Sequence, residues 1–222
     1  MADDDDPHSD AQIEVRRRLA DATRLVVERL VASTAPVDLL SNAAERMESF
    51  AGLLGTYPHG RTYKGYAEAA NAPKPQEFFD HSPLSGKANP LAPPVRLEVI
   101  GDVVHGSVRF GAAYEGPPGC VHGGFVAAVF DEILGMANSL SGEPGMTGTL
   151  SVKYRKPTPL RVDLRMEATL DRVDGRKRWC SARMYAGDVL CAESEGLFIA
   201  IGLERFKLLL DQREKPGATP SL

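Results

Sequence analysis

Cysteine is scarce in this sequence, and long apolar runs are missing. The 222 residues hold three cysteines, Cys120, Cys180 and Cys191, and none stands in a CxxC spacing. That leaves no disulfide framework and implies no metal; a reducing cytoplasm with free thiols is the expected setting. No segment approaches the roughly 20 apolar residues of a membrane span. Surplus positive charge is also lacking: 26 Lys+Arg stand against 30 Asp+Glu, a net of −4. Nothing in that balance calls for nucleic acid or an anionic membrane. The start, MADDDDPHSD, has neither the basic beginning nor the apolar core of a signal peptide; it reads as a solvated acidic tail. No internal repeat is present. What remains, 43% hydrophobic and 25% charged, is ordinary soluble globular material. The length suits one good-sized domain with an extension, or two small ones.

The first third has a helical grammar. Val15, Leu19, Ala22, Val26 and Leu30 recur at steps of three and four, predicting an amphipathic helix over residues 11–32. The spacings Glu14–Arg18 and Arg24–Glu28 offer surface ion pairs. Pro36 and Asp38 open a second helix to about Leu54, with Gly55 as its stop. Residues 56–94 lack a period and read as a long ordered loop on the main domain. Its aromatics Tyr57, Tyr63 and Tyr66, like Trp179, suit either the wall of a binding tunnel or an anchor for the extension.

From residue 94 the pattern turns to strands. VRLEVIGD and VVHGSVRFGAAY alternate and join near Gly101-Asp102. MTGTLSVKYRK, RVDLRMEATLDRV, KRWCSARMYA and VLCAESEGLFIAI follow, with turns at Asp174-Gly175 and Gly187-Asp188. Between the two sets, GPPGCVHGGFVAAVFDEILG supplies the one strong helix, about 123–140, before the Pro144-Gly145 break. Hairpin turns make the sheet mainly antiparallel. One long helix, apolar on nearly every side through Phe125, Val126, Val129, Phe130, Ile133, Leu134 and Met136, is economically buried if the sheet curls around it. Small residues, Cys180, Ala182 and Ala186, then Ala192, Ser194 and Gly196, let strands close over a helix. LERFKLLLDQ reads as a short closing helix.

Three blocks carry a family likeness: GPPGCVHGG at 116–124, Asp131 nine residues after His122, and MTGTLSVKYRKPTPL at 146–160. Together they resemble the hotdog-fold acyl-CoA thioesterases, of the phenylacetate-pathway type and the carboxyl-terminal-modulator-like type. The resemblance covers about residues 91–203. It implies an α+β hotdog fold, a curved antiparallel sheet wrapped around one central helix with an N-terminal helical extension. The implied division is an acidic tail over 1–10, an extension over 11–90, the hotdog domain over 91–203 and a short helix and tail over 204–222. It also implies an acyl-CoA substrate, no cofactor beyond the substrate's own CoA, and a homodimer, often paired again into a tetramer. Carried over residue by residue, Asp131 is the catalytic acid and Thr147 the positioning hydroxyl. The oxyanion donor is an N–H of Gly123 or Gly124, beside His122. The phenylacetate type often holds an asparagine six residues before the histidine. Here that residue is Gly116, which favours the carboxyl-terminal-modulator-like branch.

The chemistry fits these residue types. A carboxylate serves as base or nucleophile in thioester hydrolysis. Amides at a helix start are unpaired, and the helix dipole adds positive potential there. Yet Gly123 and Gly124 precede Asp131 by seven or eight residues, roughly 10–12 Å along a helix. One carbonyl carbon cannot lie within about 3–3.5 Å of both groups. If both roles hold, the site takes its acid and its amides from two chains.

Each residue has a plainer alternative. Asp131 also suits a structural cap. Glu132, about 100° around the helix, is a rival catalyst or a solvated, salt-bridged acid. His122 serves as base or as a fixer of the turn, and Cys120 as nucleophile or loop packing. Lys153, Arg155 and Lys156, with Arg161, suit either a grip on CoA phosphates or a solvated strand edge. With Glu132 and Met136, the first three form the expected substrate-binding set. Two further readings stand beside the thioesterase: a hotdog hydratase or dehydratase, and a non-catalytic acyl-CoA sensor. Residues 1–90 carry 10 Lys+Arg against 14 Asp+Glu, which argues against a DNA-contacting segment.

Overall fold

The computed structural model describes residues 10–57, 80–143 and 145–202. The acidic tail over 1–9, Tyr63, Tyr66, Pro144 and the closing helix expected after residue 203 lie outside the described residues. Helix α1 (Asp10–Leu30) forms where the three- and four-residue spacing predicts it, and α2 (Val37–Gly55) where Pro36 and Asp38 open it, with Gly55 as its last residue. Strands β1 (Arg96–Ile100) and β2 (Val103–Val108) follow. The strand expected through residue 114 is shorter than its sequence suggests. Past Phe110 the chain leaves the ladder and winds into a 3-10 turn, Ala112–Tyr114. Helix α3 runs Gly123–Ser139, and strands β3 (Gly145–Tyr154), β4 (Leu164–Asp174), β5 (Lys177–Ala186) and β6 (Val189–Ala200) complete the order.

The six strands form one sheet in the order β1-β2-β4-β5-β6-β3, with every pair antiparallel. Two-residue turns join three of the pairs. Gly101, Gly175 and Gly187 open them with φ between +55° and +60°, a conformation that penalises a side chain. The β4–β5 turn is therefore Gly175-Arg176, one residue later than expected, because Asp174 still pairs with Lys177.

The inner face of the sheet wraps α3. Val126, Val129, Phe130, Ile133, Leu134 and Ala137 are buried and pack with Phe110, Leu164, Met166, Met184 and Phe198. Phe125 and Met136 are half-buried at the margin of this core. Gly196 explains how the helix sits so deep. A Cβ there would lie 2.8 Å from the Phe198 ring and 3.3 Å from Leu134 Cδ1. At the far end, buried Arg178 donates to Ser141 Oγ at 3.1 Å and to the Gly175 carbonyl at 3.2 Å, and it pairs with Glu143. That cluster ties the exit of α3 to the β4–β5 turn. Among the described residues no helix is long and apolar enough to cross a membrane.

Candidate active site

Helix α3 starts on His122, whose extended backbone (φ −61°, ψ 131°) makes it the N-cap. Its Nδ1 accepts the Gly124 N–H at 3.0 Å. The imidazole therefore already occupies one of the two amides expected to face substrate. The Gly123 N–H makes no hydrogen bond among the described residues. On its other side Gly123 is held by Tyr154, whose hydroxyl donates to the Gly123 carbonyl at 2.8 Å. The loop before the helix is pinned by backbone bonds. Gly116 N–H donates to the Cys120 carbonyl, Val121 N–H to Thr158, and His122 N–H to Tyr114. A Cβ on Gly116 would lie 2.7 Å from the His122 Cα, so the small residue here is set by close chain approach. Tyr114 packs edge-on against Phe110 and Phe125. Burial pushes its phenol up from the usual range, and Glu28 adds to the rise while Arg24 opposes it.

Asp131 and Thr147 come together. Thr147 Oγ1 donates to Asp131 Oδ1 at 2.8 Å. A bulge places the threonine: Thr147 pairs with Phe198 but Thr149 with Leu197, leaving Gly148 as the extra residue. The bulge turns Thr147 to the helix side. The acid expected to be buried in mid-helix is only half-buried in the single chain. Among the described residues β3 is the last strand of the sheet, and no further strand closes over that side of α3.

The comparisons fit this geometry. A crystal structure of a thioesterase superfamily protein matches with a TM-score of 0.74 at 37% identity, covering 83% of this chain and 94% of that one. The chain belongs to the thioesterase superfamily. The superfamily's model matches residues 118–192, a range that holds His122, Asp131 and Thr147. Acyl-coenzyme A thioesterase THEM5 of Homo sapiens is 32% identical over 96 residues, 42% of this chain and 39% of its own. Acyl-coenzyme A thioesterase THEM4 of Bos taurus is 34% identical over 97 residues, 43% of this chain and 40% of its own. The matched stretch thus spans about two fifths of the length of these curated relatives.

The other predicted residues of this thioesterase-superfamily chain are less concentrated. Glu132 faces the extension, where it accepts Ser82 Oγ at 2.8 Å and also the Ser85 hydroxyl. It is neither free in solvent nor salt-bridged, because a loop folded over α3 supplies two neutral donors. Lys153 pairs with Glu195 at 3.2 Å, and Arg155 pairs with Glu193 across the β3–β6 ladder. The Arg155 guanidinium holds the Glu193 carboxyl below its usual range. Lys156 N–H donates to the Cys191 carbonyl, and its side chain is exposed. Met136 packs half-buried against the core, one helical turn beyond Asp131 and Glu132. Trp179 carries the Arg172 guanidinium 3.6 Å over its ring, so it serves the outer face of the sheet.

Four participants escape sequence reasoning. Tyr154 lies inside a quoted strand block, yet nothing local links it to Gly123. Ser82 and Ser85 sit in an aperiodic loop. Glu28 reads as a helix-surface acid paired with Arg24. It instead accepts Ala112 N–H at 2.7 Å and Ala113 N–H at 3.1 Å, while Arg24 turns to Asp21 and the Lys87 carbonyl.

Proposed function

We propose that the chain hydrolyses acyl-CoA thioesters to a free acid and CoA. Asp131 acts as general base or as nucleophile, and the Gly123 N–H of a second copy holds the oxyanion. Water, or the carboxylate and then water, adds to the carbonyl carbon. The C–S bond breaks, and the CoA thiolate leaves and takes up a proton. One observation carries the reading: the acid and the hydroxyl, sixteen residues apart in sequence, meet at 2.8 Å. The human and bovine relatives are named acyl-coenzyme A thioesterases, which supports the substrate class.

The second copy follows from length. Gly123 and Asp131 are eight residues apart on one helix, roughly 12 Å. No single carbonyl reaches both, whereas two antiparallel α3 helices bring each chain's amide to the other's acid. The half-exposed Asp131 and the open β3 edge favour that arrangement. His122 then orients the turn, and its hold on Gly124 leaves Gly123 as the donor.

Mixing two inactive chains tests this. Gly123→Pro removes the N–H, since proline is tolerated at the first helical position and the extended His122 accepts a following proline; its Cβ would lie 3.3 Å from the Tyr154 hydroxyl, so the Tyr154 side chain must give slightly and circular dichroism checks the fold. Asp131→Asn removes the acid. In an unfolded and refolded 1:1 mixture, half the dimers are mixed and each has one intact site. About a quarter of the wild-type activity should therefore return. Absence of recovery, with both variants folded and mixed dimers present, places acid and amide in one chain and defeats the shared site. Acyl-CoA bound without turnover by the wild type would favour a sensor, and addition of water to an enoyl-CoA would favour a hydratase.

A further inference from the structure

Helix α1 is turned inside out. The stripe that meets the core is polar: Arg17 pairs with Asp80 at 2.6 Å, Arg24 donates to the Lys87 carbonyl at 2.8 Å, and Glu28 seats on the Ala112 and Ala113 amides. Only Ala20 of this helix is buried. A cleft of about 760 Å³ stays open between α1 and the segments holding Pro94, Phe110 and Tyr114. The opposite stripe is apolar, with Val15, Leu19, Val26 and Leu30 between 39% and 58% exposed.

Helix α2 buries nothing. Leu40, Ala43, Met47, Phe50 and Leu54 recur at steps of three and four, which is a heptad seam. Leu39, Ala44, Ala51 and Leu53 widen that seam into the broad face of a bundle helix rather than the narrow one of a two-stranded coil. Among the described residues the helix makes no extensive contact with α1 or the sheet. Outside that cleft, twelve large apolar side chains on α1, α2 and their connection are each at least 38% exposed. Together they present on the order of 1,000 Å², against roughly 300–600 Å² for the largest patch of an ordinary monomer. A stable interface takes about 800 Å² from each partner.

We infer that the apolar faces of α1 and α2 form an interface between two copies of this chain, the helix pair of one completing a four-helix bundle with the pair of the other. Two seams in one chain that do not close on each other are half of such a bundle. An identical half supplies the same surface again, as two-fold closure requires. Lipid is a poorer occupant: a membrane-lying helix is rich in Lys and Arg on its polar face, whereas α2 carries Asp38, Glu45 and Glu48 against Arg46, and the five arginines of α1 are nearly matched by Asp10, Glu14, Asp21 and Glu28. The inference stands apart from the chemistry of the α3 site, because it rests on a surface that site does not use.

The test is sedimentation of the full chain over a wide dilution series, with and without Met47→Glu plus Phe50→Glu. Both positions are exposed, so the variant should keep its fold, read by near-ultraviolet circular dichroism. A second pair, Leu19→Glu plus Val26→Glu, probes the same surface from α1. Either pair should lower the assembly by a factor of two in mass, or raise its dissociation constant about a hundredfold. A monomeric wild type overturns the inference. An unchanged mass with a lowered melting temperature also overturns it, and assigns the cover to the chain's own residues 58–79 or 203–222. Flotation of the wild type with phosphatidylcholine–phosphatidylserine vesicles, at unchanged variant mass, gives the surface to lipid instead. Thiol release from acyl-CoA, recorded in parallel, reports separately on the proposed activity.

Discussion

Thr147 and Asp131 share a hydrogen bond of 2.8 Å because one extra residue, Gly148, interrupts the ladder between β3 and β6. A hydroxyl held on a carboxylate fixes which oxygen faces the substrate. Thr147→Val should therefore lower kcat about 10- to 100-fold, the worth of one charge-assisted hydrogen bond at roughly 1.5–3 kcal/mol. Thr147→Ser should keep most of the rate. Steady-state kinetics on one acyl-CoA checks both, and equal loss in the two variants would deny the hydroxyl its role.

The neighbouring acid should behave differently. Asp131→Asn is expected to abolish thiol release, whereas Glu132→Gln should retain it within a few-fold, since Glu132 is engaged by the Ser82 and Ser85 hydroxyls. Removing both hydroxyls, Ser82→Ala with Ser85→Ala, should instead cost about 1–3 kcal/mol of stability. Urea unfolding alongside kinetics separates the two acids.

Core fit gives a prediction free of catalysis. Gly196→Ala forces a methyl against the Phe198 ring and Leu134. It should destabilise the fold by about 1–3 kcal/mol, lowering the denaturant midpoint without changing the slope.

The fold and the site were legible in the sequence to different depths. Alternation and turn glycines foretold the sheet, and the all-round apolar helix foretold what it wraps. The β2 end was not readable, because Phe110 to Tyr114 keep an apolar look while winding into a 3-10 turn against Tyr114's aromatic neighbours. Thr147 illustrates the deeper limit. Counting back by twos from Val152 and Leu150 selects Gly148 and Met146 as inward residues, and only the bulge replaces them with Thr147. The serines that hold Glu132 are about fifty residues away in the chain, with no periodicity to announce them.

Cys180 supplies a pH dependence. Burial, helped by the Asp171 charge, pushes its thiol up to about 12. The folded state then holds this proton more tightly than the unfolded chain, where a thiol titrates near 8.5. The associated stability is complete below that value and is lost progressively as pH rises toward 12. Unfolding free energy should fall more steeply between pH 8 and 10 in the wild type than in Cys180→Ala. Thiol reagents at neutral pH should reach Cys120, which is half-buried, ahead of buried Cys180 and Cys191.

Strand β3 touches α3 at its start and at its middle: Tyr154 at Gly123 and Thr147 at Asp131. It is also the outermost strand on its side of the sheet. Whatever lies along that border therefore bears on amide and acid at once. Under the proposed function, a substitution that retailors this border for a new neighbour also reaches the acid and the amide, so contact surface and chemistry would change together.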